Sequence, residues 1–244
     1  MAGHSKWANM KHRKDRADKK KGKIFTRIMK EIISAVKQGG SDPKGNSKLR
    51  LAIQKAKEAN MPNENIDRNI KKASDSNTQD FTQMSYEMYG YGGVGIIIDI
   101  MTDNKNRISS EIHIATNKHG GHVATPGAVA YNFDRKGVIK LPKSAIDEDQ
   151  LFLLISDAGA EDMAAEDDSY IIYTSIESFN QVKEALEKAN LKIEEAELGM
   201  VPKSYVEVSD EDADSNIALI EYLESLDDVD SVYHNMKIKY TESD

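Results

Sequence analysis

Residues 137–202, GVIKLPKSAIDEDQLFLLISDAGAEDMAAEDDSYIIYTSIESFNQVKEALEKANLKIEEAELGMVP, decide the fold. GVIKL has strand composition. DEDQLFLLISDAGA reads as a helix, with Asp147 and Gln150 placed as a capping pair. EDMAAEDDSYIIYT gives two short strands around an acidic turn. ESFNQVKEALEKAN is a second helix with Phe179, Val182 and Leu186 inward, and KIEEAELGMVP closes with a strand. The order β-α-β-β-α-β within one stretch is the ferredoxin-like split motif.

The flanks on either side are each incomplete. Downstream, SYVEVS, a helix over DEDADSNIALIEYLESLDD and a strand over VDSVYHNMKIKY make one β-α-β piece, too small to fold alone. Upstream, MSYEMYGY and GVGIIIDIMT read as strands and NKNRISSEIHIATNKHGG as a helix with Ile108, Ile112 and Ala115 on one side. The two flanks complete each other. The expectation is a discontinuous α/β domain, 81–134 plus 203–240, with the ferredoxin-like unit 135–202 inserted.

Before residue 81 the apolar period changes to that of helices. Ile24, Ile28, Ile32 and Val36 repeat at helical spacing and Gly39-Gly40 ends the run; Leu49, Ile53 and Ala56 mark a second helix, Ile66 and Ile70 a third. Residues 23–75 thus form a basic three-helix domain, followed by DSNTQD as a linker. Residues 1–22 carry Trp7 and Met10 as their only large apolar side chains after Met1, too few to bury, and are expected to be a mobile basic tail. The fold class is α+β multidomain.

Charge is divided along the same line. Residues 1–75 hold 20 Lys and Arg against 8 Asp and Glu, and the remainder 13 against 33, although the whole chain is −8. The protein is an electrostatic dipole, so net charge misleads about its partners. No window approaches ~18 uninterrupted apolar residues, which argues against a membrane span. The charged start is not followed by an apolar stretch and cleavage site, and Asp15 and Asp18 interrupt any presequence pattern. With no Cys, disulfides and thiolate metal sites are excluded, and a cytoplasmic location is expected.

The chemistry-bearing patterns have plain readings. YGYGGVGIII runs from its glycines straight into Ile96, so it reads as a hairpin turn rather than a phosphate loop. His113, His119 and His122 match no zinc spacing. Glu161, Asp162, Glu166, Asp167 and Asp168 lack the Gly and spacing of a calcium loop and read as a solvated turn. No nucleophile elbow or dinucleotide fingerprint is present. Neither catalytic residues, metal nor cofactor is expected, and a metal-dependent enzyme is the disfavoured class.

The N-terminal segment is different: Lys, Arg and His mixed with one Trp, continuing onto a helical surface, is suited to neutralising phosphates and stacking on bases. The acidic remainder would repel phosphate and is left to orient the protein or contact a protein partner.

MAGHSKWANMKHRKDRADKKKGKIFTRIMKEI, NMPNENIDRNIKKA, YGGVGIII, FDRKGVI and DAGAED resemble the YebC/PmpR family along essentially the whole chain. The resemblance implies an N-terminal helical domain and two α/β domains, one discontinuous. It implies DNA-binding transcriptional regulation or, alternatively, ribosome association through rRNA or tRNA that eases translation of difficult stretches such as consecutive prolines; mitochondrial relatives activate translation of a cytochrome oxidase subunit. The family's basic signature falls on Lys6, Trp7, Lys11, His12, Arg13, Lys14, Lys19, Lys20, Lys21, Lys23 and Arg27. Arg16 in the same run, and Lys30, Lys48, Arg50, Lys55, Lys57, Arg68, Lys71 and Lys72 on the expected outer helical surface, complete the candidate nucleic-acid-binding set. Ala128, where many relatives have Ser, and Ala124-Thr125 depart from the pattern in one loop. A motif starting at Met1 suits a bacterial-type cytoplasmic member.

Overall fold

The computed structural model describes residues 17–75, 80–166 and 168–237, with side chains from Gly22 onward. Three helices come first: α1 Ala17–Gly39, α2 Ser47–Glu58 and α3 Asn63–Ala73. Helix α1 starts earlier than the expected 23, because Ala17 and Lys19–Lys21 are good helix formers and no breaker precedes Gly22. It ends at Gly40, whose φ of +83° and N–H bond to Val36 O form a left-handed cap. Buried Asn46 joins the first two helices. Its Oδ1 accepts the Leu49 N–H at 3.0 Å, while its amide donates to Ala35 O and Gly40 O. Ile28, Ile32 and Ile33 of α1 bury against Leu49, Ala52, Ala56 and Ile66, each full aliphatic side chain contributing roughly 1.5–3 kcal/mol.

The first sheet begins with β1 Thr82–Tyr89 and β2 Gly95–Thr102, followed by α4 Lys105–His119 and the short β3 His122–Val123. The glycines between β1 and β2 sit in the hairpin turn, Gly92 and Gly93 at positive φ. The inserted unit is β4 Phe133–Pro142, α5 Glu148–Asp157, β5 Ala160–Ala165, β6 Ser169–Thr174, α6 Phe179–Lys188 and β7 Glu195–Pro202. The chain then returns through β8 Val206–Glu207, α7 Asp210–Ser225, β9 Val229–His234 and β10 Met236–Lys237.

Sheet order explains why neither flank is complete alone. The first sheet runs β3-β1-β2-β9, so a C-terminal strand pairs antiparallel with β2, Ile97 opposite Tyr233. Its helices α4 and α7 cover one face through Ile108, Ile112, Leu219 and Leu223. The second sheet runs β5-β6-β4-β7, all antiparallel, which is the ferredoxin-like order. Its α5 and α6 bury Leu151, Ile155, Val182 and Leu186 on one face. At α5 the Asp147 side chain accepts the Asp149 N–H at 3.1 Å. SYVEVS contributes little strand: β8 pairs only with β10, apart from both larger sheets.

The two sheets meet through Ile97 and Tyr233 of the first and Phe133, Val129 and Met200 beside the second. The connecting loop is held by Glu87, whose carboxylate accepts the N–H groups of Gly127, Val129 and Ala130. Burial pushes this carboxyl up, but those three bonds outweigh it and hold it below its ordinary value.

Candidate nucleic-acid interface

Lys6, Trp7, Lys11, His12, Arg13, Lys14 and Arg16 lie outside the described residues, as do Asp167 and residues 76–79 of the linker. Lys19, Lys20 and Lys21 fall within α1, and their side chains are likewise outside the description. The remaining candidates divide into two groups by their surroundings.

Lys23, Arg27 and Lys30 recur at i, i+4 and i+7 on α1, so they share one face. That face meets protein. The Lys23 ammonium donates to Glu224 O and to Leu226 O at the C-terminal end of α7. Helix α7 holds no Lys or Arg of its own, so its last carbonyls receive their cation from α1. Burial lowers the Lys23 pKa, partly offset by Glu224. Arg27 donates to Ser231 Oγ and pairs with Glu31 at 3.4 Å and Asp230 at 3.8 Å.

Lys30 corrects the sequence expectation most sharply. Placed on the outer surface by periodicity, it is only 8% exposed. Its ammonium donates to Met101 O at 2.9 Å, Asp227 O at 3.0 Å and Asp228 Oδ1 at 3.0 Å. The second oxygen of Asp228 accepts from Thr102 Oγ1 at 2.8 Å and from Arg107. Burial raises the Asp228 carboxyl, and the hydrogen bonds from Arg107, Lys30 and Thr102 overcome this and hold it below its ordinary value. A buried lysine that already has three protein acceptors is not offered to phosphate. It fastens the helical unit to the first α/β sheet.

The second group is exposed. On α2, Lys48 donates to Gln38 Oε1, Lys55 pairs with Glu31 at 2.8 Å, and Arg50 reaches Pro43 O and Lys44 O. Lys57 is exposed beside them. Lys48, Leu51 and Lys55 fall on one stripe, with the half-exposed Leu51 between two cations. On α3, Arg68 donates to Asn65 Oδ1, and Lys71 and Lys72 follow in the last turn, where the helix dipole favours cations. These seven side chains are exposed on the outside of the helical unit, Lys48 and Lys55 on one flank of α2 and Arg50 and Lys57 on the other.

The other sequence patterns carry no comparable chemistry. His119 packs on Tyr222 at 4.8 Å between ring centroids and His122 on Tyr89 at 5.4 Å. Glu161 pairs with Lys136. Among the described residues no group of three His, Asp or Glu could hold a metal ion, and no helix is long and apolar enough to cross a membrane. Sequence reasoning missed Asp228 as a partner of Lys30 on α1, and Glu224 and Leu226 as acceptors for Lys23. The missing cation at the end of α7 was the available signal.

Two family models match the chain: the TACO1/YebC protein N-terminal domain over residues 5–76, and the TACO1/YebC second and third domain over 81–236. A protein of Protochlamydia amoebophila, named a probable transcriptional regulatory protein, is 63% identical over 98% of this chain and 97% of its own. One of Chlamydia muridarum with the same name is 54% identical over 97% of this chain and all of its own. The crystal structure of a conserved hypothetical protein from Aquifex aeolicus superposes with a TM-score of 0.82 at 41% identity, covering 98% of this chain and 99% of that one. The chain belongs to the TACO1/YebC family.

Proposed function

We propose that this protein is a non-enzymatic, cytoplasmic regulator of gene expression that binds nucleic acid through its basic N-terminal segment and the outer surface of α2 and α3, acting as a DNA-binding transcriptional regulator. The observation that carries the reading is that surface: Lys48, Arg50, Lys55, Lys57, Arg68, Lys71 and Lys72 all face solvent on the unit that follows the basic segment. The names of the relatives point the same way. In this reading Lys30, buried on its three acceptors, orients the helical unit, and Lys23 and Arg27 support it from the same face of α1.

One feature favours the second reading, ribosome association through RNA. A duplex-reading helix usually presents its N-terminal residues to base edges. Helix α3 has Glu64 in its first turn and carries exposed Asp67, two carboxylates that repel phosphate, and its cations lie towards the other end. A basic surface without an inserting end suits irregular folded RNA.

The test is a titration of labelled duplex DNA and of a folded RNA hairpin at several salt concentrations, with the intact protein and with K48E/K57E/K71E/K72E. The expected outcome is weaker binding and a shallower salt dependence for the variant, by up to about 0.9 in log–log slope per lost contact on duplex DNA. Unchanged affinity at low salt rejects the surface. Sequence preference on DNA supports transcription, while nuclease-resistant co-sedimentation with ribosomes supports translation.

A further inference from the structure

Exposed large apolar side chains stand singly at Ile24, Leu51, Tyr91, Ile114, Tyr131 and Ile176, the ordinary scatter of a protein surface. Phe152 and Leu153 are consecutive instead, 55% and 67% exposed, at the middle of α5. The fold does not need them there. Leu151 and Ile155 already supply the stripe that α5 buries against its sheet, with Leu154 half-buried beside them. The apolar pair is bracketed by exposed Glu148, Asp149 and Asp157, and α5 has no Lys or Arg. Nearby cations are engaged inside the molecule: Lys183 of α6 with Glu58 at 2.9 Å, and Lys143 over the Tyr170 ring.

We propose that the outer face of α5 is a docking surface for a basic, amphipathic protein segment. Phe152 and Leu153 are the apolar anchor and the three carboxylates the rim. A second copy of this chain is the poorer occupant, because antiparallel pairing of two α5 helices about their midpoints sets Asp149 against Asp157, acid against acid. Complementarity therefore selects Lys and Arg around one or two bulky apolar residues, as in helix-face recognition. The proposal does not depend on nucleic-acid binding.

The probe is a labelled 16-residue synthetic peptide repeating leucine and lysine at helical spacing, titrated with the full chain by anisotropy. A peptide with glutamate replacing lysine is the control. Saturable binding of the lysine peptide is expected, at least tenfold weaker to F152S/L153S and likewise to D149K/D157K. Both variants change only exposed positions, so their circular dichroism and thermal midpoints should match the parent. Equal affinity of the variants, equal binding of the glutamate peptide, or no saturation overturns the proposal. A concentration-dependent dimer abolished by F152S/L153S also overturns it, assigning the face to a second copy.

Discussion

At the residue scale, Lys30 shows how one position changes meaning between sequence and structure. Its three acceptors and the Arg107 and Thr102 bonds to Asp228 form a nearly closed polar network under α1. Removing one partner of a buried pair typically costs about 3–5 kcal/mol, and Arg107 and Thr102 remain to hold Asp228. Lys30→Met should therefore destabilise the protein by about 3 kcal/mol in urea unfolding, while leaving the salt dependence of nucleic-acid binding unchanged. An altered slope at parental stability would return Lys30 to the interface. Asp228 gives a pH signature. Its folded pKa lies below the ordinary 3.8, so its stabilisation is present above that value and lost as pH falls through the folded one. Between about pH 5 and pH 2, stability should fall more steeply in the parent than in D228N, measured by urea midpoints across that range.

At the scale of elements, β4 couples the inserted sheet to its helices through a missing side chain. A Cβ at Gly137 would lie 2.3 Å from both the Phe179 ring and Thr174 Oγ1, on adjacent packed elements. Gly137→Val should cost about 1–3 kcal/mol or more through overpacking, read as a lowered thermal midpoint with the helical unit still folded. The elements themselves were largely legible. Ile108, Ile112 and Ala115 announce α4 by spacing, and Phe179, Val182 and Leu186 announce α6, because a helix that buries one face must repeat its apolar residues. The start of α1 was not, since a run such as Ala17–Lys21 is helix-forming without any apolar stripe to reveal it.

At the scale of the whole molecule, the basic unit and the acidic domains are fastened rather than strung together. Helix α1 supplies the cation for the end of α7, and α2 reaches α6 through Glu58 and Lys183. This sets the direction in which the α2 and α3 cations face. Removing residues 1–16 takes away Lys6, Lys11, Arg13, Lys14 and Arg16. The same truncation should lower affinity for nucleic acid and reduce the salt slope. A truncated chain that binds as tightly as the parent would confine the interface to α2 and α3.

The sequence by itself determined the helical unit, the β-α-β-β-α-β order and the split of charge between the two ends, because all three are written in local periodicity and composition. It also carried the family signature. What only the tertiary structure decided is which cations the fold itself engages. Lys23 and Lys30 have the same side-chain chemistry as Lys48, Lys57 and Lys71, and spacing along one helix cannot say whether a stripe faces solvent or another domain. That depends on contacts between residues some two hundred positions apart, such as Lys30 with Asp228, where folding brings the carbonyls and carboxylate that claim the ammonium.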